Sequence, residues 1–277
     1  MTQMDRQINT FAVRSFRDMA DGDYIAARMA WRARLLPQFK WSAQQAIEKY
    51  LKCILLMHRV PAKNVNHDIA EALKKTKELP FEVVLRPFGR GLVDHLAIYG
   101  EYRYLDVSNF TDGHDLPKLD MAVWDLRRYC QVLHVIGEAL PDAEQKLLEE
   151  SLLALKNSNS VPPNKFRLRD GMLETVLADK AHPSHRPLIY QNAFFGNRSR
   201  KKISSRAHFQ TTNAPLWLYP QMLDELLKYV KIGKLEGPYR EHLKKVLAEA
   251  EEAARAEAAE SPAPPHADFD SNGRPTE

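Results

Sequence analysis

Apolar positions recur three and four residues apart through most of residues 18–156, the period of helices that bury one face. The clearest run is 39–56, FKWSAQQAIEKYLKCILL. There Ala43, Ile47, Tyr50, Ile54 and, just beyond, Met57 fall on one side, with Gln44, Gln45, Glu48, Lys49 and Lys52 around them. Upstream, residues 1–20 read as a loose lead-in helix. Asp21-Gly22-Asp23 is a start signal, because an Asp accepts orphan backbone N–H groups, and the helix it opens runs to Leu36 and stops against Pro37. Downstream, Val60-Pro61 ends the 39–58 helix, and HDIAEALKKTK makes a third helix that Pro80 closes. Pro87, Gly89 and Gly91 predict an interruption before a fourth helix carrying Leu92, Leu96, Tyr99 and Arg103. After a loop at 106–115, a fifth helix begins near Pro117 with the stripe Leu119, Val123, Leu126, Cys130 and Leu133. A sixth runs from Pro141-Asp142 to about Leu155.

The period stops in NSNSVPPNK, residues 157–165, which is polar and holds two prolines. Beyond it the pattern predicts a short helix at 171–178 and strands or irregular arms at 186–195 and 203–212. Helical turns over 219–230 and a Glu-, Lys- and Ala-rich helix over 238–259 follow. The last residues, 260–277, offer little to bury and read as disordered. The expected fold class is mainly α: a helical bundle over 18–156, a smaller basic module over 165–259, and the tail.

Charge changes this picture more than composition does. The net charge is only +4, yet residues 161–210 hold ten Lys and Arg against three acids. A basic segment on a near-neutral chain suits an anionic partner. Within it, GNRSRKKISSRAHFQ places Arg198, Arg200, Lys201 and Lys202 near Phe194, Phe195 and Phe209. Cations interleaved with aromatics suit a single-stranded nucleic acid; a solvated basic loop is the plainer reading. The two cysteines, Cys53 and Cys130, fall among apolar neighbours and exclude a disulfide framework or a thiolate metal cluster. His182 and His185 flank a proline without a third ligand nearby, so no metal is expected, and no Gly-rich phosphate loop calls for a cofactor. Neither a membrane span nor a signal-peptide core is evident, and a cytoplasmic protein is expected.

Four short signatures over residues 18–140 carry a family likeness. They are Asp23-Tyr24; Trp41 and Gln45 followed by Glu48, Lys49 and Lys52; His67-Asp68; and Arg103-Tyr104. Together and in this order they resemble the HEPN domain, a helical bundle that binds nucleotides or RNA and in some branches cuts RNA. The resemblance implies an antiparallel bundle acting as a homodimer. It also implies a role in stress response, defence or a toxin–antitoxin pair, there with a cognate partner protein. Read by themselves, Glu48 and Lys52 form a favourable i, i+4 ion pair. Lys49, Lys52, His67, Arg103 and Tyr104 could hold a phosphate; capping and surface pairing are the structural alternatives.

Nuclease members of that family carry an Arg, then four to six intervening residues, then a His, and need no metal. A base takes the ribose 2′-hydroxyl proton while a cation stabilises the charge on the phosphate. Two places have the spacing: Arg90 with His95, and Arg127 or Arg128 with His134. Residues five apart on one continuous helix differ by about 140°, so Arg90 and His95 converge only if the glycines break it. Arg127 and His134 would lie nearly in line on an unbroken helix. The competing reading is a non-catalytic dimerisation or protein-interaction module.

Overall fold

The computed structural model describes residues 2–99, 108–134, 140–196, 209–232 and 236–260. The chain is mainly helical and divides into two compact units, one within Met1–Tyr104 and Asn109–Thr212, the other within Leu105–Ser108 and Asn213–Glu277.

In the first unit, α1 (Gln3–Phe11), a π-helical segment (Ala12–Arg17) and α2 (Asp18–Arg32) follow without a break. The start signal expected at Asp21 is therefore not a helix start. The true cap is Thr2, whose hydroxyl accepts from the Asp5 N–H at 3.1 Å. The wide π turn admits an extra residue and re-phases the buried stripe. Arg34, at φ 61°, ends the run in the left-handed region. Pro37 does not stop this helix; it sits in the first turn of α3 (Leu36–Met57), where its missing N–H costs nothing. Buried residues cover most of α3, including Lys40, Gln44 and Glu48, and leave one partly exposed side at Trp41, Gln45, Lys49, Lys52 and Leu56, so it is the central helix. Ile47, Leu51 and Ile54 are fully buried, each worth about 1.5–3 kcal/mol.

Asp68 caps α4 (Ile69–Lys75) by accepting from the Glu71 N–H at 2.9 Å. Helix α5 (Pro87–Tyr99) begins at the proline and runs straight through Gly89 and Gly91, so the expected interruption is absent. A side chain at 89 would bring its Cβ to 2.9 Å from the Ala122 nitrogen; the glycine is there for close helix packing. Strand β1 (Asn109–Asp112) leads into α6 (Asp115–Arg127). That helix ends at Arg127, although the stripe from Leu119 through Cys130 to Leu133 is buried as its period predicts. Helix α7 (Asp142–Asn157) matches expectation.

Residues 163–196 belong to this same unit and not to a separate module opening at 165. Buried polar clamps are the reason. Asp21 accepts the Tyr50 hydroxyl at 2.6 Å and Arg127 Nε at 2.7 Å, and its second oxygen accepts Arg127 Nη2 at 2.8 Å. Arg127 also grips Glu174 of α8 (Met172–Ala178) at 2.7 and 2.8 Å. A second clamp joins Tyr24 to Asp120 at 2.6 Å and to Asn192 at 2.8 Å. Arg28, buried between them, binds Asp120 and the carbonyls of Pro187 and Tyr190. Residues 185–196 are consequently a short helix, α9 (His185–Ile189), followed by turns; no strand forms there. Phe194 and Phe195 are buried in the core, so neither is open to a nucleic-acid base. Strand β2 (Phe209–Thr212) pairs antiparallel with β1, Phe110 opposite Thr211 and Asp112 opposite Phe209.

In the second unit, α10 (Pro215–Leu218), a 3-10 turn (Pro220–Met222), α11 (Leu223–Leu226) and α12 (Glu236–Glu260) gather around Leu216, Leu223 and Tyr239. The helical turns expected over 219–230 are a 3-10 turn followed by one short helix. The expected disordered tail lies outside the described residues.

Candidate functional site

On α3 the EKxxK signature forms a surface ion-pair cluster. Glu48, only 3% exposed, accepts Lys52 Nζ at 2.6 Å, and its other oxygen lies 3.1 Å from His67 Nδ1. Lys52 also donates to the Asn66 carbonyl at 2.7 Å. Asn66 holds φ 45°, the left-handed turn that swings His67 back over α3. Lys49 pairs with Asp23 of α2. Lys52 and His67 thus share one carboxylate, whereas Lys49 points to another. Arg103, Tyr104, Arg198, Arg200, Lys201 and Lys202 lie outside the described residues.

Neither Arg/His pair is brought together within the chain. Arg90 is exposed and pairs with Asp94 at 2.6 Å, four residues on. His95 faces another way on the unbroken α5 and meets Lys40. Arg127 is spent on Asp21 and Glu174 inside the core. Arg128 donates to Ser158 and Asn159, each at 2.8 Å. His134, beyond the end of α6, stacks on His58 with the two Nδ1 atoms 2.7 Å apart. One of those nitrogens must donate to the other, so the pair carries complementary tautomers. Burial, with His134 and Arg59 adding repulsion, lowers His58 to about 3; burial also lowers His134.

The more distinctive constellation surrounds His95. Lys40 Nζ reaches His95 Nε2 at 3.0 Å and also donates to the Phe110 carbonyl on β1. Burial, only partly offset by Asp115, lowers Lys40 to about 8. Burial, then Lys40 and Lys118, lowers His95 to about 4, so near pH 7 its Nε2 is an acceptor and its Nδ1 carries the proton. Around this pair runs a chain of rings: Tyr99 to His95 at 4.8 Å, His95 to Phe110 at 4.7 Å, and Phe110 stacked on Phe209 at 4.8 Å. Phe110 and Phe209 are 38% and 63% exposed, unusual for stacked phenylalanines with a core nearby.

Lys118 supplies a second cation, bound to Asp112 at 2.7 Å and to Asp115 at 3.3 Å. Burial would raise the Asp112 carboxyl, but hydrogen bonds from Lys118 and His114 outweigh it and hold the group well below the usual carboxylate range. Helix α3, which carries the buried Lys40, and the start of α6, which carries Lys118, therefore place two lysines near the exposed aromatic pair of the ribbon. That combination can stack planar rings and balance phosphate charge.

Within the chain His95 meets Lys40 and not Arg90, and sequence reasoning did not single out Lys40, Lys118 or Phe110. A lysine at the centre of the aromatic opening Phe39-Lys40-Trp41 was the available signal, since burying that helix must bury the lysine. Among the described residues no group of three or more His, Cys, Asp or Glu is placed to hold a metal ion. Both cysteines are free and buried, and no described helix is long and apolar enough to cross a membrane. No family model, curated protein or solved structure matches the chain.

Proposed function

We propose that this protein is a HEPN-like, antiparallel helical bundle that binds RNA or a nucleotide, with a single strand held on the aromatic–lysine patch around His95. The exposed Phe110–Phe209 stack carries the reading. Single-stranded RNA offers unpaired bases to stack on aromatics and a phosphate backbone for cations, whereas a duplex hides its base faces. The four HEPN-like signatures of residues 18–140 support the same ligand class, and the basic run at 196–210 enters β2 directly.

A dimer acting in stress response, defence or a toxin–antitoxin pair is the wider form of this proposal. Metal-independent cleavage is its catalytic form. It needs a base for the ribose 2′-hydroxyl, and Lys40 and His95 are the groups here that share a proton-transfer contact.

The test is a fluorescence-anisotropy titration of the full chain with a labelled single-stranded RNA. Phe209→Ala is expected to weaken binding by about 1–3 kcal/mol, and affinity should drop steeply between low and moderate salt. Equal affinity for the variant, or a flat salt response, would overturn the patch. A parallel degradation assay in EDTA compares the parent with His95→Ala and His134→Ala. Cleavage lost in His95→Ala supports the catalytic form. Its absence throughout, with binding retained, leaves a non-catalytic binding module.

A further inference from the structure

Residues 81–86, between the 3-10 turn at Thr76–Glu78 and α5, follow a period of two that no strand partner satisfies. Phe81, Val83 and Leu85 pack on the core, while Glu82 and Val84 face out. The backbone alternates in the same way. The Val84 N–H donates to the Tyr129 hydroxyl at 3.1 Å and the Arg86 N–H to Asp125 at 2.9 Å. Among the described residues, no hydrogen bond uses the N–H or C=O of Val83 or Leu85. In an extended chain, alternate residues direct their backbone groups to opposite edges. One edge of this segment is therefore stapled to side chains of α6 and the residues after it, and the other is bare.

Residues 81–85 line one wall of an open groove of about 740 Å³, with α4 and the 3-10 turn forming the other. Leu73, Leu79, Val83 and Leu85 give it an apolar floor. The charged residues lining it are Lys74, Lys77, Arg90 and one acid, Glu82, a net of +2. Lys74 and Arg90 have ion partners, Glu71 and Asp94, on the exposed surface, where such pairs are weak and exchangeable. Lys77 has none among the described residues.

The geometry points to a peptide-docking site: an extended, acidic segment of a partner protein adds as a strand along residues 82–85. Main-chain hydrogen bonds to Val83 and Leu85 supply the register, apolar side chains of the peptide enter the groove, and its acids meet Lys77, Lys74 and Arg90. Exposed strand edges recruit partners in this manner, and proteins that do not use them usually block them with charge or proline. Here the bare edge is that of Val83 and Leu85. The inference is independent of RNA binding, because none of these residues belongs to the His95 patch.

The experiment titrates the full chain with a labelled heptapeptide of alternating glutamate and valine, alongside its lysine–valine counterpart. Saturable binding of the acidic peptide alone is expected, weakened about tenfold or more by Lys77→Glu. Two N-methylated versions complete the test, one blocked at every valine and one at every glutamate. Strand addition requires that one version lose binding and the other keep it. No saturable binding of the acidic peptide, equal binding of the lysine peptide, or equal behaviour of the two methylated versions would each overturn the proposal. The protein is unaltered in the methylation arm, so misfolding cannot mimic either result.

Discussion

The Asp21–Arg127–Glu174 clamp and the Lys40–His95 patch both take charge away from water, yet they are built on opposite terms. In the clamp each carboxylate oxygen of Asp21 has two donors, and Arg127 is held by two acids. Burial alone would lower Arg127, but Asp21 and Glu174 push it well above its ordinary value, so its charge is fixed. In the patch a lysine is set against a neutral imidazole and a carbonyl, and burial leaves it near 8, where its charge responds to small changes. A closed network holds the architecture together. The patch network instead lies beside exposed rings on which a planar ligand can stack.

The largest effect should come from opening the clamp. Arg127→Ala strands Asp21 in the core and is expected to cost about 3–5 kcal/mol in urea unfolding, enough to loosen residues 163–196 from the helices. Lys40→Ala should cost far less stability while weakening RNA binding. If the two variants destabilised equally, the contrast between clamp and patch would fail.

Acid is the next lever. His58 and His95 are held near 3 and 4 in the folded chain, below the ordinary histidine value. Between about pH 6.5 and those values the unfolded chain binds protons that the folded chain does not, so stability falls as pH falls, by on the order of 1 kcal/mol per pH unit for each group. His58→Phe should flatten the decline measured by thermal melts from pH 7 to 4. An unchanged slope would mean that His58 does not titrate as its burial requires.

Lys40 sharpens the comparison at the alkaline end. RNA affinity should decline a fewfold as pH rises through about 8, when Lys40 loses its charge, and Lys40→Arg should abolish that decline because a guanidinium stays charged. The smallest stability effect belongs to the partly exposed pairs on α3. Changing Lys49 and Lys52 together to Ala should cost no more than about 1–2 kcal/mol in urea unfolding. A clear loss of RNA affinity in the same variant would add this surface to the binding path, and an unchanged titration would leave it structural.

Much of the helical framework was legible because its cause is local. The stripe Ala43, Ile47, Tyr50, Ile54 and Met57 is buried as its spacing requires, and the short helices at 142–157 and 172–178 fall close to their predicted limits. The misplaced boundaries share one origin. Asp21, Pro37 and Gly89 each carry a strong local preference, and each was decided by something distant or by its position in the turn. Asp21 is taken by Arg127, Gly89 by the approach of Ala122, and Pro37 by the first turn of α3. The pause at 157–165 is a real break in period, but hydrogen bonds accepted by Asp21 and donated by Arg127 and Arg28 carry the chain beyond it back onto the core.

The sequence by itself determined that this protein is helical, which faces of its main helices are buried, and that its excess positive charge is concentrated in residues 161–210. Those properties follow from period and composition, which no fold can alter. Only the tertiary structure decided which charges meet. It set Lys40 against His95, stacked Phe110 on Phe209 across two strands about a hundred residues apart, and left Val83 and Leu85 with an open edge. Pairings of that kind depend on how remote segments pack, and one-dimensional spacing does not encode them.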